Sequence, residues 1–198
     1  ELSNRDVSDE VIKAIDSENQ LKRIHAMWTL AMLNRKSGAS IQPITQLLND
    51  KDDEIRVQAI RILGESGATF AYDDIEGLIL DSHPRVSYFA TIAAGHLGQP
   101  LEEVTALLEA NNNEDVYLRH AGVVALAKSQ YASTLANLRS HPSPAVRLGA
   151  VLALRKQSSP LLSHFLSDED DEVATEAARA IHDVPVKGAL HELAGTLS

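Results

Sequence analysis

The chain contains no cysteine, which excludes disulfides, thiolate metal sites and covalent haem attachment within these residues. Cysteine absence assigns no compartment. Aromatic residues amount to 4% of the chain, with one tryptophan, so the apolar bulk comes from Ala, Leu, Ile and Val, as in closely spaced helices. No run of eighteen apolar residues occurs, so no segment reads as a membrane-spanning helix. Positive charge is scarce: Lys+Arg number 18 against 28 Asp+Glu, for a net charge of −10, which argues against a phosphate-binding surface. No stretch alternates apolar and polar residues for long enough to make a strand. Gly-x-Ser-x-Gly, a Walker loop, a dinucleotide fingerprint and a nucleophilic cysteine are all missing. In a chain this acidic a carboxylate pair for acid–base work stays open, though nothing singles one out. The 198 residues suit one domain spanning 1–198, or a piece of a longer repeat array. The chain opens at Glu1 without Met and shows no signal peptide, so it reads as an excised segment, which leaves open that targeting information lies outside it.

What is present is a motif that recurs six times, about every thirty residues. Arg23, Arg56, Ser87, Leu118, Arg147 and Ala174 serve as its anchors, and three positions after each stands an alanine: Ala26, Ala59, Ala90, Ala121, Ala150 and Ala177. A period of this size predicts stacked helical units, none of which can bury its apolar face alone. The apolar slots fall one before the anchor and three, six and seven after it, on one helical stripe. They read Ile55, Ala59, Ile62, Leu63 in the second repeat, Val146, Ala150, Ala153, Leu154 in the fifth, and Val173, Ala177, Ala180, Ile181 in the sixth. Lys22 and Thr29 break the pattern in the first repeat, as a solvent-facing end or a boundary would.

Shorter first helices are predicted at 44–48, 75–80, 104–108, 135–138 and 161–166, and a final helix at 186–197. Pro43, Pro100, Pro160 and Pro185 stand where first helices start, and Pro84 and Pro144 where second helices do, positions that tolerate a missing amide. Gly64, Gly67, Gly95 and Gly98 are expected as left-handed caps. The final helix would leave Val186, Leu190, Leu193 and Leu197 open where another repeat docks, so the parent chain is expected to continue.

The tetratricopeptide and ankyrin patterns are missing. Asp50, Arg56, Ala59 and Leu63 together resemble the HEAT-repeat signature in its short, HEAT-like form. The full Asp–Arg pair occurs in the second repeat alone, since His141 replaces the Asp ahead of Arg147 and Ser87 the Arg after Asp81. Three stretches carry a closer resemblance: Arg23-Ile24-His25-Ala26-Met27-Trp28-Thr29-Leu30, Tyr117-Leu118-Arg119-His120-Ala121, and Glu176-Ala177-Ala178-Arg179-Ala180-Ile181 with Asp183 and Pro185. They are similar to the HEAT-like segment of large multidomain proteins of planctomycetes and their relatives. That resemblance implies a position between a sorbosone-dehydrogenase-like β-propeller and a c-type haem domain. It also implies an exported parent, with any electron transfer residing outside these residues.

Three groups of residues are candidate sites. Eight histidines are present, but no two stand at i, i+4 and His191-Glu192 is the lone His-Glu pair. HEAT-like di-iron hydroxylases need several such pairs, so these histidines read as structural or surface groups. Acidic clusters at 50–54, 114–115 and 168–172 resemble calcium loops loosely, with Ile55 or Val173 where the sharp turn needs glycine. They sit where carboxylates cap second helices and complement the helix dipole; an acidic ridge for a basic partner is the alternative.

The third group occupies slots two, five and nine after each anchor, about 180° from it. It gives a candidate concave binding surface of His25, Trp28, Gln58, Arg61, Phe89, His96, His120, Glu176 and Arg179. Trp28 or Phe89 could anchor a partner there. Arg61–Glu65 and Arg179–Asp183 are alternatively i, i+4 pairs that steady their own helices.

The expectation is an all-α fold, a right-handed α-solenoid of about six short HEAT-like helix pairs. It would act as a non-catalytic scaffold for a protein partner or neighbouring domains of the same chain, with no cofactor or metal of its own, no nucleic acid and no membrane insertion. One alternative is a tetrapyrrole-binding protein like the phycobilin lyases. Another is a nucleic-acid enzyme like the HEAT-like alkylpurine glycosylases, which need a basic groove.

Overall fold

The computed structural model describes residues 4–196, with side chains from residue 9 onward. Among the described residues every regular element is helical. The fold is an α solenoid of helix pairs, and the chain divides into two compact units, Glu1–Gly98 and Gln99–Ser198.

The first unit opens with α1 (Asn4–Ile15) and α2 (Gln20–Ser37). A 3-10 segment, Gln42–Asn49, leads into α3 (Asp53–Glu65). A second short segment, Thr69–Ala71 running into α4 (Tyr72–Glu76), leads into α5 (Pro84–Leu97). The repeat pattern did not reveal α1, because that helix precedes the first anchor. Its signal is Val11, Ile12 and Ile15, apolar positions on one face, of which Ile15 is buried. Lys22 and Thr29 are exposed, as the broken pattern implied.

The second unit contains α6 (Leu101–Asn111), α7 (Val116–Ser129), α8 (Ala132–Asn137) with a 3-10 turn at Leu138–Ser140, and α9 (Pro144–Lys156). A 3-10 segment, Pro160–Phe165, precedes α10 (Asp171–Asp183), and Lys187–Ala189 leads into α11 (Leu190–Gly195). Of the predicted final helix, Leu197 lies outside the described residues. Leu190 is exposed as expected, whereas Val186 is buried. Its amide bonds back to the Ile181 carbonyl at 3.1 Å, which folds this segment onto the end of α10.

Two of the first helices, Gln42–Asn49 and Pro160–Phe165, are thus wholly 3-10, those built on α4, α8 and α11 mix the two coils, and α6 is α throughout. A 3-10 coil rises about 2.0 Å per residue against about 1.5 Å for an α-helix, so eight residues span about 16 Å, the length of an eleven-residue α-helix. Short segments can therefore match the height of their partners.

All six recurring alanines are buried, five at 0% exposure and Ala26 at 6%. The apolar slots of the second, fifth and sixth repeats are buried with them. Another small pair sets the approach of α3 and α5: a Cβ at Gly64 on α3 would lie 2.8 Å from the Ala93 Cβ on α5. In the second unit Leu108 of α6 fills the space beside two glycines. A Cβ at Gly122 on α7 would stand 2.8 Å from one of its methyls, and one at Gly149 on α9 2.6 Å from the other.

The glycine expectation needs correction. Of the four, Gly67 alone is left-handed, with φ 66°. Gly64 and Gly95 lie inside their helices, and Gly98 is extended and leaves room for the Tyr72 ring, 2.2 Å from where its Cβ would be. Near a helix end a glycine serves either positive φ or close approach, and spacing does not distinguish them. Left-handed caps stand instead at Gly38 (φ 72°) and Asn112 (φ 43°).

Candidate interaction surface

The side chains of the four polar anchors close the turns that enter α2, α3, α5 and α9. Arg23 Nε donates to the Ile15 carbonyl at 2.9 Å, Arg56 Nη1 to the Asp50 carbonyl at 2.8 Å, Ser87 Oγ to the Ile79 carbonyl at 2.5 Å and Arg147 Nη1 to the His141 carbonyl at 2.9 Å. Each arginine also reaches the aspartate of the following repeat, so the ladder runs between repeats rather than within one. Arg23 binds Asp50, Arg56 approaches Asp81 at 3.4 Å, and Arg147 grips Asp168. Ser87 loses the charge yet keeps the carbonyl contact.

The acidic clusters serve as caps. Asp52 accepts from the Glu54 amide, Asp115 from Tyr117 and Leu118, and Asp170 from Glu172 and Val173. Asp50, Asp81 and Asp168 each accept the amide two residues on. His141 takes the aspartate's place through Nδ1, which accepts from the Ser143 amide at 3.2 Å. Burial pushes the Asp50 carboxyl up, but the Arg23 hydrogen bond, the Asp52 amide and the charges of Arg23 and Lys51 outweigh it, leaving the group below its ordinary 3.8. The hydrogen bond to Asp168 raises Arg147 above the usual guanidinium value despite burial.

Four of the predicted surface residues come together in the first unit. The Arg61 guanidinium lies 5.4 Å from the Trp28 ring centre and 5.5 Å from that of Phe89. Trp28 Nε1 donates to Gln58 Oε1 at 2.9 Å, and Gln58 Nε2 donates to Glu54 Oε1 at 2.5 Å. Arg85 binds Glu54 and sits 5.8 Å over Phe89. This is a preorganised cation–aromatic layer carried by α2, α3 and α5, each contact worth about 0.5–1 kcal/mol where exposed. Arg61 also pairs with Glu65 at 3.6 Å, as the helix spacing implied. Gln58 itself is buried, so it supports the surface rather than presenting it. His25 and His96 are exposed.

In the second unit α7, α9 and the turn after α10 enclose an open trough of about 490 Å³. His120 and Val123, from the predicted slots on α7, line it together with Leu152 and Lys156 from α9. Val116, Arg119, Arg155 and Val184 complete the lining. Glu176 lies outside the trough and binds Arg155 at 2.8 Å. The expected Arg179–Asp183 pair does not form: Asp183 goes to Arg155 at 3.4 Å, and exposed Arg179 approaches Glu176 at 3.9 Å.

The sequence reading missed Arg119 and Arg155 because it measured angles from the anchor. The buried stripe is centred about 285° around the helix from the anchor, so its true opposite lies at about 105°, where slots one and eight fall. The same geometry explains Gln58, whose slot two stands about 40° from the stripe's edge. Among the described residues no group of three or more His, Asp or Glu side chains could hold a metal ion, and no helix is long and apolar enough to cross a membrane.

These features define the class as an α-helical repeat solenoid. A family model described as HEAT repeats matches residues 41–127, the stretch that includes the Asp50–Arg56 turn. No curated protein matches the chain. Among solved structures, one engineered protein superposes with a TM-score of 0.57 at 18% identity, covering 89% of this chain and 98% of its own. A second engineered protein gives 0.54 at 17% identity, over 92% and 97%. A third gives 0.53 at 18%, over 96% of this chain and 62% of its own. The likeness is one of fold.

Proposed function

We propose that this HEAT-repeat solenoid is a non-catalytic scaffold that holds a protein partner, or neighbouring domains of the same chain, on the exposed face of its second helices. The observation that carries this reading is the Trp28–Arg61–Phe89 layer, in which a guanidinium is held against two half-buried rings. Tryptophan and arginine on a rigid support are the residue types that dominate binding energy at protein interfaces. Repeats that touch only their neighbours keep such a surface in register.

Photo-crosslinking in extracts of the native host tests it. A photoreactive amino acid at His25 or His96 should yield discrete protein adducts, while one at exposed Asp73 on α4 should not. Equal labelling at all three positions would remove the reading. The finer setting, as the HEAT-like segment of an exported haem-containing dehydrogenase, is supported by the resemblance of three short stretches. The full reading frame tests that setting: an upstream propeller and a downstream Cys-x-x-Cys-His are expected, and a frame lacking both would discard it.

A further inference from the structure

The trough of the second unit differs in charge from the chain around it. The chain carries 28 acidic residues against 18 Lys and Arg, yet the trough's lining holds three cations, one histidine and four aliphatic side chains, with no carboxylate. Glu176 and Asp183, neither of which lines the trough, pair with Arg155 at 2.8 and 3.4 Å. Arg119 and Lys156 have no ion pair among the described residues, although α10 brings two acidic groups to their neighbour Arg155. Apolar surface lies beside these two cations: Val123 at the base, half-buried Leu152, and Val116, which is 54% exposed at the rim. Two unsatisfied cations next to open aliphatic surface call for a ligand that supplies carboxylates and aliphatic groups together. A trough open to solvent suits a chain segment better than an enclosed small molecule.

We propose that the trough binds an acidic peptide segment, its carboxylates meeting Arg119 and Lys156 and its aliphatic side chains resting on Val116, Val123 and Leu152. This deepens the scaffold reading and rests on it, by naming the partner chemistry of one of its two surfaces. A phosphate backbone is the other anionic class. The net charge of −10 and a lining without Phe, Tyr or Trp on which bases could stack disfavour it.

Fluorescence anisotropy tests the proposal with a labelled eight-residue peptide that alternates Glu and Leu. The peptide should bind saturably, about ten-fold or more tighter than its Lys-for-Glu counterpart, and more weakly as salt rises. Lys156 is exposed, so Lys156→Glu should fold, as circular dichroism would verify, and weaken binding by about ten-fold. Arg119→Glu with Lys156→Glu should abolish it, and the uncharged Leu152→Ser should weaken it without changing its salt dependence. Equal affinity for the lysine peptide, unchanged affinity in Lys156→Glu, or tighter binding of an oligothymidine would overturn the proposal. Adducts at His25 and His96 with no peptide binding would remove the trough's role alone, whereas peptide binding without those adducts would remove only the first unit's surface.

Discussion

Arg147 and Asp168, 21 residues apart, are joined by three guanidinium–carboxylate hydrogen bonds of 2.9 to 3.1 Å, with their side chains 3% and 4% exposed. The pair ties the first turn of α9 to the turn before α10. Two opposite charges are thereby held out of water, each tolerable because of the other.

Removing one partner should therefore cost more than removing both. Arg147→Ala or Asp168→Ala is expected to lose about 3–5 kcal/mol, because a buried charge loses its buried partner, and Glu169, 3.4 Å from Arg147 but 86% exposed, compensates little. Arg147→Met with Asp168→Leu should lose clearly less, retaining a deficit from the His141 carbonyl and Asp170 amide contacts that also disappear. Urea unfolding followed by far-ultraviolet circular dichroism measures all three; a double variant as unstable as the sum of the singles would refute the argument.

Asp50 makes stability depend on acid. Its folded carboxyl titrates below 3.8, so its contribution is fully present above the unfolded value and is lost as pH falls through the folded one. Asp50→Asn should lower the melting temperature at pH 7, and the gap from the parent chain should close below about pH 3.8. Carboxyl NMR should find Asp50 below the ordinary value, and Arg23→Ala should move it upward. A gap unchanged between pH 7 and pH 3 would contradict the assignment.

Leu108 stands between Gly122 and Gly149, so a methyl on either helix competes for its space. Gly149→Ala gains about 1 kcal/mol of helix propensity but should cost about 1–3 kcal/mol in overpacking. Leu108→Ala in the same background should recover part of that loss by vacating the contact, although alone it is destabilising by about 2–5 kcal/mol. A double-mutant cycle by urea denaturation reads the coupling, and strict additivity would rule out the steric account.

The single tryptophan makes the first unit's surface observable. Arg61→Ala removes the cation 5.4 Å from the Trp28 ring. It should cost about 0.5–1 kcal/mol while shifting Trp28 emission to longer wavelength as water replaces the guanidinium. Gln58→Leu takes away the indole's acceptor and should cost about 1 kcal/mol. Emission unaltered in Arg61→Ala would mean the ring does not sense that side.

Much of the fold was legible because it depends on period. All six second helices lie where the anchors predicted, and the alanine column is buried, since one small residue per repeat is what close helix approach demands. Proline positions were informative for the same local reason. The first helices were located but not typed, because a five-residue apolar run is compatible with either 3-10 or α coil. The ion pairs were misread in direction. Asp50 and Arg56 are near in sequence, yet the carboxylate of Asp50 faces Arg23 of the preceding repeat.

From the residues alone followed a repeating helical stack with an apolar seam and capped turns, because periodicity and capping are properties of neighbours in sequence. Tertiary structure decided which side chains share space. It set Arg61 against both Trp28 and Phe89, drew Asp183 away from Arg179 to Arg155, and, among the described residues, left Arg119 and Lys156 without ion pairs beside Val123 and Leu152. Those outcomes depend on distances between residues some thirty positions apart, and such distances exist only once the helices have docked.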